Sequence, residues 1–202
     1  MKIALLKACL LGMTVTLSAC SIFPEQEAPR LVGLAPPSSP TQFDETREAS
    51  LRIDTPLATA PFDSTRVLIK PDTYEFQALP GARWRDSAPV LLREYMVQYF
   101  RQSGGFDSVL TDTNPASAEL TLISELSGFH AVIKAGRNTV VVNLYAELLD
   151  NRTRVSLCTQ DHQIQIPANS TSHSDLMAAF SAGAEALSEQ ALVWAFDCSR
   201  KA

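Results

Sequence analysis

The chain has 202 residues, a hydrophobic content of 46% and a formal net charge of −5 at pH 7. Its apolar side chains suffice for the core of one domain, which excludes an intrinsically disordered chain. The acidic balance argues against nucleic acid as a partner, because neutralising phosphates requires clustered Lys and Arg side chains.

Residues 1–19 have the three-part order of an export signal. Lys2 and Lys7 make the start positive, an apolar run follows over 8–17, and small residues precede Cys20. The apolar run is too short for a membrane-spanning helix, which needs about 20 residues. The segment therefore predicts either an ordinary secretory signal with a chance cysteine or a signal in which the cysteine has a role.

Residues 17–20, Leu-Ser-Ala-Cys, resemble the lipobox of bacterial lipoproteins. The resemblance implies lipid attachment to the Cys20 thiol, cleavage between Ala19 and Cys20, and acylation of the new amino terminus, with palmitate as a label for the product. Ser21 stands where an aspartate tends to retain such proteins at the inner membrane, which implies the outer membrane, periplasmic face. Two acyl chains already anchor a protein stably. The expected anatomy is a signal peptide over 1–19, a lipidated tether over 20–30 and one domain over 31–202.

Short strands are predicted in the first part of this domain. Residues 31–34 favour a first strand, and the proline-containing stretch 35–50 favours a loop. Residues 51–54 alternate apolar and charged side chains, and the β-branched run 65–70 is typical of a strand. After the turn at 71–72, residues 73–77 are expected to return antiparallel.

A helix of about four turns is predicted next. Asp86 and Ser87 are cap-forming residues, Pro89 suits the first turn, and Gly104 follows the last one. The apolar stripe consists of Leu92, Met96 and Phe100. This stripe suits either a lipid or partner, or packing on the chain's own sheet, and we favour packing.

Three long strands are predicted over 118–126, 138–149 and 154–166. They are separated by a turn region at 128–136 and a turn at 150–152, which contains Asp, Asn and Arg. Consecutive strands joined by turns form an antiparallel meander.

The last predicted helix begins at a cap formed by Ser174 and Asp175 and has one apolar seam. The seam consists of Met177, Phe180, Ala184, Leu187, Ala191 and Trp194. It suits either an oligomer contact or packing on the sheet, and we favour the sheet. The fold class expected from these elements is α+β: an antiparallel sheet with two long amphipathic helices packed on one face.

Cys158 and Cys198 are the candidate disulfide of the mature chain. An oxidising compartment favours a bond between an isolated pair, whereas two buried free thiols are the alternative.

No catalytic, metal or cofactor site is expected. No nucleophile elbow, Walker loop or dinucleotide fingerprint occurs. His130, His162 and His173 are scattered, and a Ser-His-Asp site built from His173, Asp175 and a serine would depend on spatial geometry. Two cysteines forty residues apart do not form a tight zinc loop, and no histidine pair has helical spacing.

Several motifs together resemble the ABC-type transport auxiliary lipoprotein family, which includes the lipoprotein of the paraquat-inducible Pqi system. They are Leu-Arg-Ile at 51–53, Pro-Phe-Asp-Ser-Thr-Arg-Val-Leu-Ile at 61–69, Ala-Arg-Trp-Arg-Asp-Ser-Ala-Pro at 82–89 and the helix that ends at Gly-Gly-Phe, 104–106. The resemblance extends over residues 30–197.

The resemblance implies a docking role at the outer membrane. Members accompany an ABC transporter whose periplasmic MCE-domain subunit moves lipids between the two membranes. The implied partners are the outer membrane, through the lipid anchor, and the MCE-domain subunit; a homo-oligomer that matches a symmetric MCE ring is a further expectation. The alternative function is a structural or assembly lipoprotein of the outer membrane without a transport role.

Arg83, Trp84 and Arg85 are the candidate partner surface, because Trp and Arg dominate interface energetics. The alternative for Trp84 is packing in the core as a lid over the first helix.

Overall fold

A nine-stranded mixed sheet and two α-helices make up the fold in the computed structural model, which describes residues 28–134 and 137–202. The predicted signal peptide and Cys20 lie outside these residues. The strands are β1 (Arg30–Val32), β2 (Arg47–Ile53), β3 (Leu57–Ala58), β4 (Arg66–Lys70), β5 (Gln77–Trp84), β6 (Phe106–Thr111), β7 (Leu120–Lys134), β8 (Arg137–Asp150) and β9 (Val155–Ala168). The helices are α1 (Ala88–Ser103) and α2 (His173–Cys198), and a 3-10 turn follows at Ser199–Lys201.

Strand β7 is the centre of the sheet. One of its edges pairs with β8 along its whole length, and β8 pairs in turn with β9. The other edge carries three short strands in succession: β2 pairs at residues 120–122, β3 at 125–126 and β4 at 130–132. Strand β6 extends the sheet beyond β2, and β5 and β1 extend it beyond β4.

The expectation of an antiparallel sheet is right for the long strands and wrong for several short ones. The meander β7–β8–β9 is antiparallel, as is the pair β4–β5. However, β2, β3 and β4 run parallel to β7, and β1 and β6 run parallel to β5 and β2. The sheet is therefore mixed.

The sequence places a turn region too early, because β7 continues through Gly128. A register shift between Leu126 and Gly128 leaves Ser127 as an extra residue, so that Gly128 pairs with Asn143. A Cβ at Gly128 would lie 3.0 Å from the Asn143 side-chain nitrogen. Glycine thus marks a close approach inside a strand that contains a bulge.

Helix α1 has the predicted limits. Ser87 precedes it in an extended conformation, Pro89 lies in its first turn, and Gly104 ends it with a left-handed φ of 67°. Only glycine adopts that φ without strain, which explains why the helix stops there.

Helix α2 begins slightly before the predicted cap. The Oγ of Ser172 accepts a hydrogen bond from the backbone N–H of Asp175, so Ser172 caps the helix. Phe180, Ala184, Leu187 and Ala191 of the expected seam are buried, whereas Met177 and Trp194 are only partly buried.

A single hydrophobic cluster joins both helices to the inward-facing side chains of the sheet. Alternate residues of β8 are buried in it: Val140, Val142, Leu144 and Leu148. At Gly183, α2 comes close enough to the sheet for a Cβ to lie 3.1 Å from Val142.

Candidate partner-binding surface

Trp84 does not belong to the surface that the sequence indicates, because its side chain is 0% exposed. The last three residues of β5 alternate, so Ala82 and Trp84 point into the core while Arg83 points outward. The indole lies between Phe129 of β7 and Phe180 of α2, with ring centroids 5.5 and 5.2 Å away. Trp84 is therefore a core residue, as in the alternative interpretation, although it packs against α2 and the sheet.

Arg85 is exposed but engaged. Its Nη2 lies 2.9 Å from the Glu94 carboxylate on α1, in an ion pair in which both side chains are about half exposed. Exposed pairs of this kind contribute little stability. Of the three predicted residues, Arg83 is the one with a fully available side chain.

Arg83 lies in an exposed basic row that the sequence does not reveal. Arg66 of β4 pairs directly with it across the sheet, and Leu31 of β1 is its neighbour on the other side. Like charges directly opposite each other are destabilising, and in the described part of the chain neither arginine forms an ion pair. Leu31 is 64% exposed. The row of Leu31, Arg83 and Arg66 is therefore suited to an anionic surface.

A polar network connects α1 to the loop after β2. Nη1 of Arg93 donates to Thr55 Oγ1 at 2.8 Å and to Asp112 Oδ1 at 2.7 Å, and Thr55 donates to Asp112 through its N–H and its hydroxyl. Burial raises the pKa of Asp112, but the Thr55 hydrogen bonds and the Arg93 charge outweigh it and hold the pKa below its ordinary value. The three residues are far apart in sequence, so spacing gave no signal for this contact.

Cys158 and Cys198 form a disulfide in the structure, with their Cα atoms 6.2 Å apart. The bond joins β9 to the last residue of α2 and so fastens the end of the helix to the outermost strand of the meander.

The serine, histidine and aspartate near the start of α2 are used for structure. Nε2 of His173 donates to the Pro80 carbonyl at 2.9 Å, and Asp175 accepts from the hydroxyl of Ser170. With these bonds, His173 fastens α2 to β5 and Asp175 shapes the first turn of the helix. They are not arranged as a nucleophile, base and orienting acid.

The other two histidines are buried. Burial, aided by the Lys70 charge, lowers the pKa of His130 to about 4. His130 lies on the face of the sheet opposite the main core, where Phe62 and Phe76 cover it. Burial also lowers the pKa of His162 against the opposing effects of Gln190 and Asp161. Both side chains are therefore neutral near pH 7.

Within residues 28–134 and 137–202, no three His, Cys, Asp or Glu side chains converge closely enough to hold a metal ion. Neither of the helices described has the combination of length and apolar character needed to cross a bilayer.

The comparison with protein families gives one match of high coverage. Residues 33–191 match the model described as the ABC-type transport auxiliary lipoprotein component. The chain belongs to this family. The match includes β2 to β9, α1 and most of α2, so the whole sheet apart from β1 is family structure. Curated protein sequences give no match.

Solved structures share the fold of this auxiliary lipoprotein. A Xanthomonas campestris protein of the family DUF330 is 20% identical, with a TM-score of 0.71, over 85% of this chain and 95% of that one. A hypothetical protein of Chlamydia trachomatis is 8% identical, with a TM-score of 0.52, over 76% of this chain and 99% of that one. At these identities the likeness concerns the fold.

Proposed function

We propose that this auxiliary lipoprotein is anchored at the periplasmic face of the outer membrane through Cys20 and docks the MCE-domain subunit of an ABC transporter that moves lipids between the membranes. The observation that carries the proposal is the family match over residues 33–191. The Leu-Ser-Ala-Cys sequence at 17–20 supports the anchor, and Ser21 supports the outer membrane.

The start of the sheet supports a position close to the bilayer. Strand β1 begins at Arg30, ten residues after Cys20, and ten extended residues reach at most roughly 33–36 Å. The row of Leu31, Arg83 and Arg66 lies beside this strand. Cationic side chains next to an exposed leucine suit anionic headgroups, since each Arg near such a surface contributes about 1 kcal/mol. The proposed orientation places this row toward the membrane.

Labelling with palmitate tests the anchor. Cells that express the chain should incorporate labelled palmitate into it, and cells that express Cys20→Ala should not, while Cys9→Ala should label normally. Fractionation should place the labelled protein in the outer membrane. A soluble, unlabelled mature protein would overturn the anchor.

Affinity purification tests the docking role. The chain should copurify with the MCE-domain subunit. The gene for that subunit should lie beside the gene for this chain, together with the ATPase and permease genes. Loss of the chain should impair lipid transport. Intact transport and unchanged membrane permeability without it would favour the alternative, a structural or assembly lipoprotein. Sedimentation of the purified protein tests the proposed homo-oligomer. A sedimentation mass equal to that of the monomer would contradict it.

A further inference from the structure

An open groove lies on the face of the sheet opposite the helices, where β3, β7 and β8 meet. Its volume is about 230 Å³, and its main walls are Asp54, Leu57, Ile123, Glu125, Tyr145 and Glu147. We call this the acidic groove. Pockets that enclose whole small molecules measure about 300–1,000 Å³. The acidic groove is smaller and open, which suits one or two side chains of a larger partner.

Apolar and acidic side chains alternate across the groove. Leu57, Glu125 and Tyr145 form one row across three strands, and Ile123 and Glu147 form the next. Leu57 is 66% exposed and Tyr145 is 37% exposed. Glu125 and Glu147 are diagonal neighbours, about 7–8 Å apart at the backbone. A single cationic side chain between them would therefore interact with both carboxylates, while the adjacent residues of the partner cover Leu57 and Tyr145.

The negative charge of the groove is not compensated by the described part of the chain. No Lys, Arg or His lines it, and Asp54, Glu125 and Glu147 take part in none of the ion pairs described. Burial and the nearby Asp112 charge raise the pKa of Asp54, although Arg52 opposes them. Burial is the larger of the two causes, and no basic side chain in the lining of the groove offsets it.

One acceptor in the wall of the groove lacks a donor, which is an observation independent of the charge. Oδ1 of Asp54 is buried and has no hydrogen-bond partner. Buried polar atoms are nearly always satisfied in native proteins, so this unpaired carboxylate oxygen indicates a donor supplied by a bound molecule.

The wall of the groove is held in place before binding. Thr55, which lies between Asp54 and Leu57, is fixed to Asp112 and Arg93 by the network described above. A wall that is already fixed loses little conformational freedom on binding.

We propose that the acidic groove binds a basic segment of a protein partner, with one Arg or Lys side chain between Glu125 and Glu147 and an adjacent apolar side chain on Leu57 and Tyr145. The donor groups of Arg or Lys match the unpaired oxygen of Asp54, and an arginine also gains from stacking on the Tyr145 ring. On the proposed function, this partner is the transporter's periplasmic subunit.

Peptide titration tests the proposal. Full-length, isotope-labelled protein in detergent is titrated with acetyl-Gly-Leu-Arg-Leu-Gly-amide and followed by amide chemical shifts. The shifts should map to β3 and to residues 123–125 and 145–147, and the double variant Glu125→Gln/Glu147→Gln should weaken binding by about tenfold. The control Asp44→Asn/Glu45→Gln removes two exposed charges from the loop before β2 and should bind like the parent.

The same titration contains the results that would overturn the proposal. Equal binding of the same peptide with uncharged citrulline in place of the arginine would show that the charge is irrelevant. Equal binding by the groove variant would place the site elsewhere. Shifts caused by anionic vesicles of phosphatidylglycerol, but not by the peptide, would assign the groove to lipid. A groove variant that still captures the MCE-domain subunit fully would reject this docking site and leave the proposed function standing.

Discussion

The indole ring of Trp84 meets the ring of Phe180 edge-on, with centroids 5.2 Å apart. This contact joins β5 to α2 at the centre of the core, so Trp84→Ala should leave a large cavity. We expect the free energy of unfolding to fall by about 3–5 kcal/mol, measured by urea denaturation.

Trp194→Ala is the matched control, since Trp194 is the only other tryptophan and is only partly buried. It should cost clearly less. Equal losses for the two variants would contradict the central position of Trp84.

The Cys158–Cys198 bond closes a loop with a sequence separation of 40. In the chain-entropy model such a loop stabilises a protein by about 3–4 kcal/mol. We expect Cys158→Ser/Cys198→Ser to unfold at lower urea concentration by that amount, and a reductant to destabilise the parent but not the double variant. Thiol labelling of unreduced, denatured protein should modify neither cysteine; labelling of both would show that they are free.

The buried His130 side chain should make the folded chain less stable at acidic pH. Its pKa is lowered to about 4 in the folded chain, whereas an unfolded histidine titrates near 6.5. Unfolding therefore takes up a proton between these values, and the free energy of unfolding should fall by about 2 kcal/mol from pH 7 to pH 5 because of this residue. His162, whose pKa is lowered too, acts in the same direction.

Denaturation curves at both pH values check this expectation. His130→Gln should flatten the pH dependence, and His173→Gln, which leaves both buried histidines in place, should not. An unchanged slope in His130→Gln would contradict the assignment.

Asp112→Asn should separate α1 from the loop after β2. It removes the charge from a partly buried network in which the Arg93 side chain is mostly enclosed. We expect a loss of about 1–3 kcal/mol in the free energy of unfolding, because Arg93 loses its charged partner. Asp197→Asn breaks an exposed pair with Arg200 and should cost less than about 0.5 kcal/mol. Equally small losses for the two variants would show that the network does not stabilise the fold.

Local signals in the sequence predicted the helices well. The start of α1 depends on Ser87 and Pro89 and its end on Gly104, and each residue acts within one turn. The long strands β8 and β9 were predicted for the same reason, since their alternation is local.

The antiparallel return after β4 was predicted too early, over 73–77, whereas β5 runs from Gln77 to Trp84, and the candidate assignment of Trp84 to the surface follows from this error. Pro80 and Gly81 lie inside this strand and are typical of a turn. Without the strand, nothing in the sequence assigns a direction to Trp84. With it, the period of two places Trp84 beside Ala82 on the buried face and Arg83 outside.

The candidate surfaces depend on pairings between distant segments. Leu57 meets Glu125 because β3 pairs in parallel with β7, and parallel pairing of so short a strand leaves no pattern in the sequence. Arg66 meets Arg83 across the antiparallel pair of β4 and β5, and this contact was not predicted because β5 lies later in the chain than the expected return over 73–77.

The position of β7 has a consequence for the order of folding during synthesis. Strand β3 has β7 as its partner, and β2 has β6 and β7, so these strands wait for residues made well after them. Until β7 has emerged, β3 has no partner, and the group β1–β5–β4 and the pair β2–β6 have no strand that joins them. Non-local pairing of this kind is slow and exposes unpaired strand edges. The incomplete sheet that lacks β7 is therefore the stage at which a chaperone would be most useful.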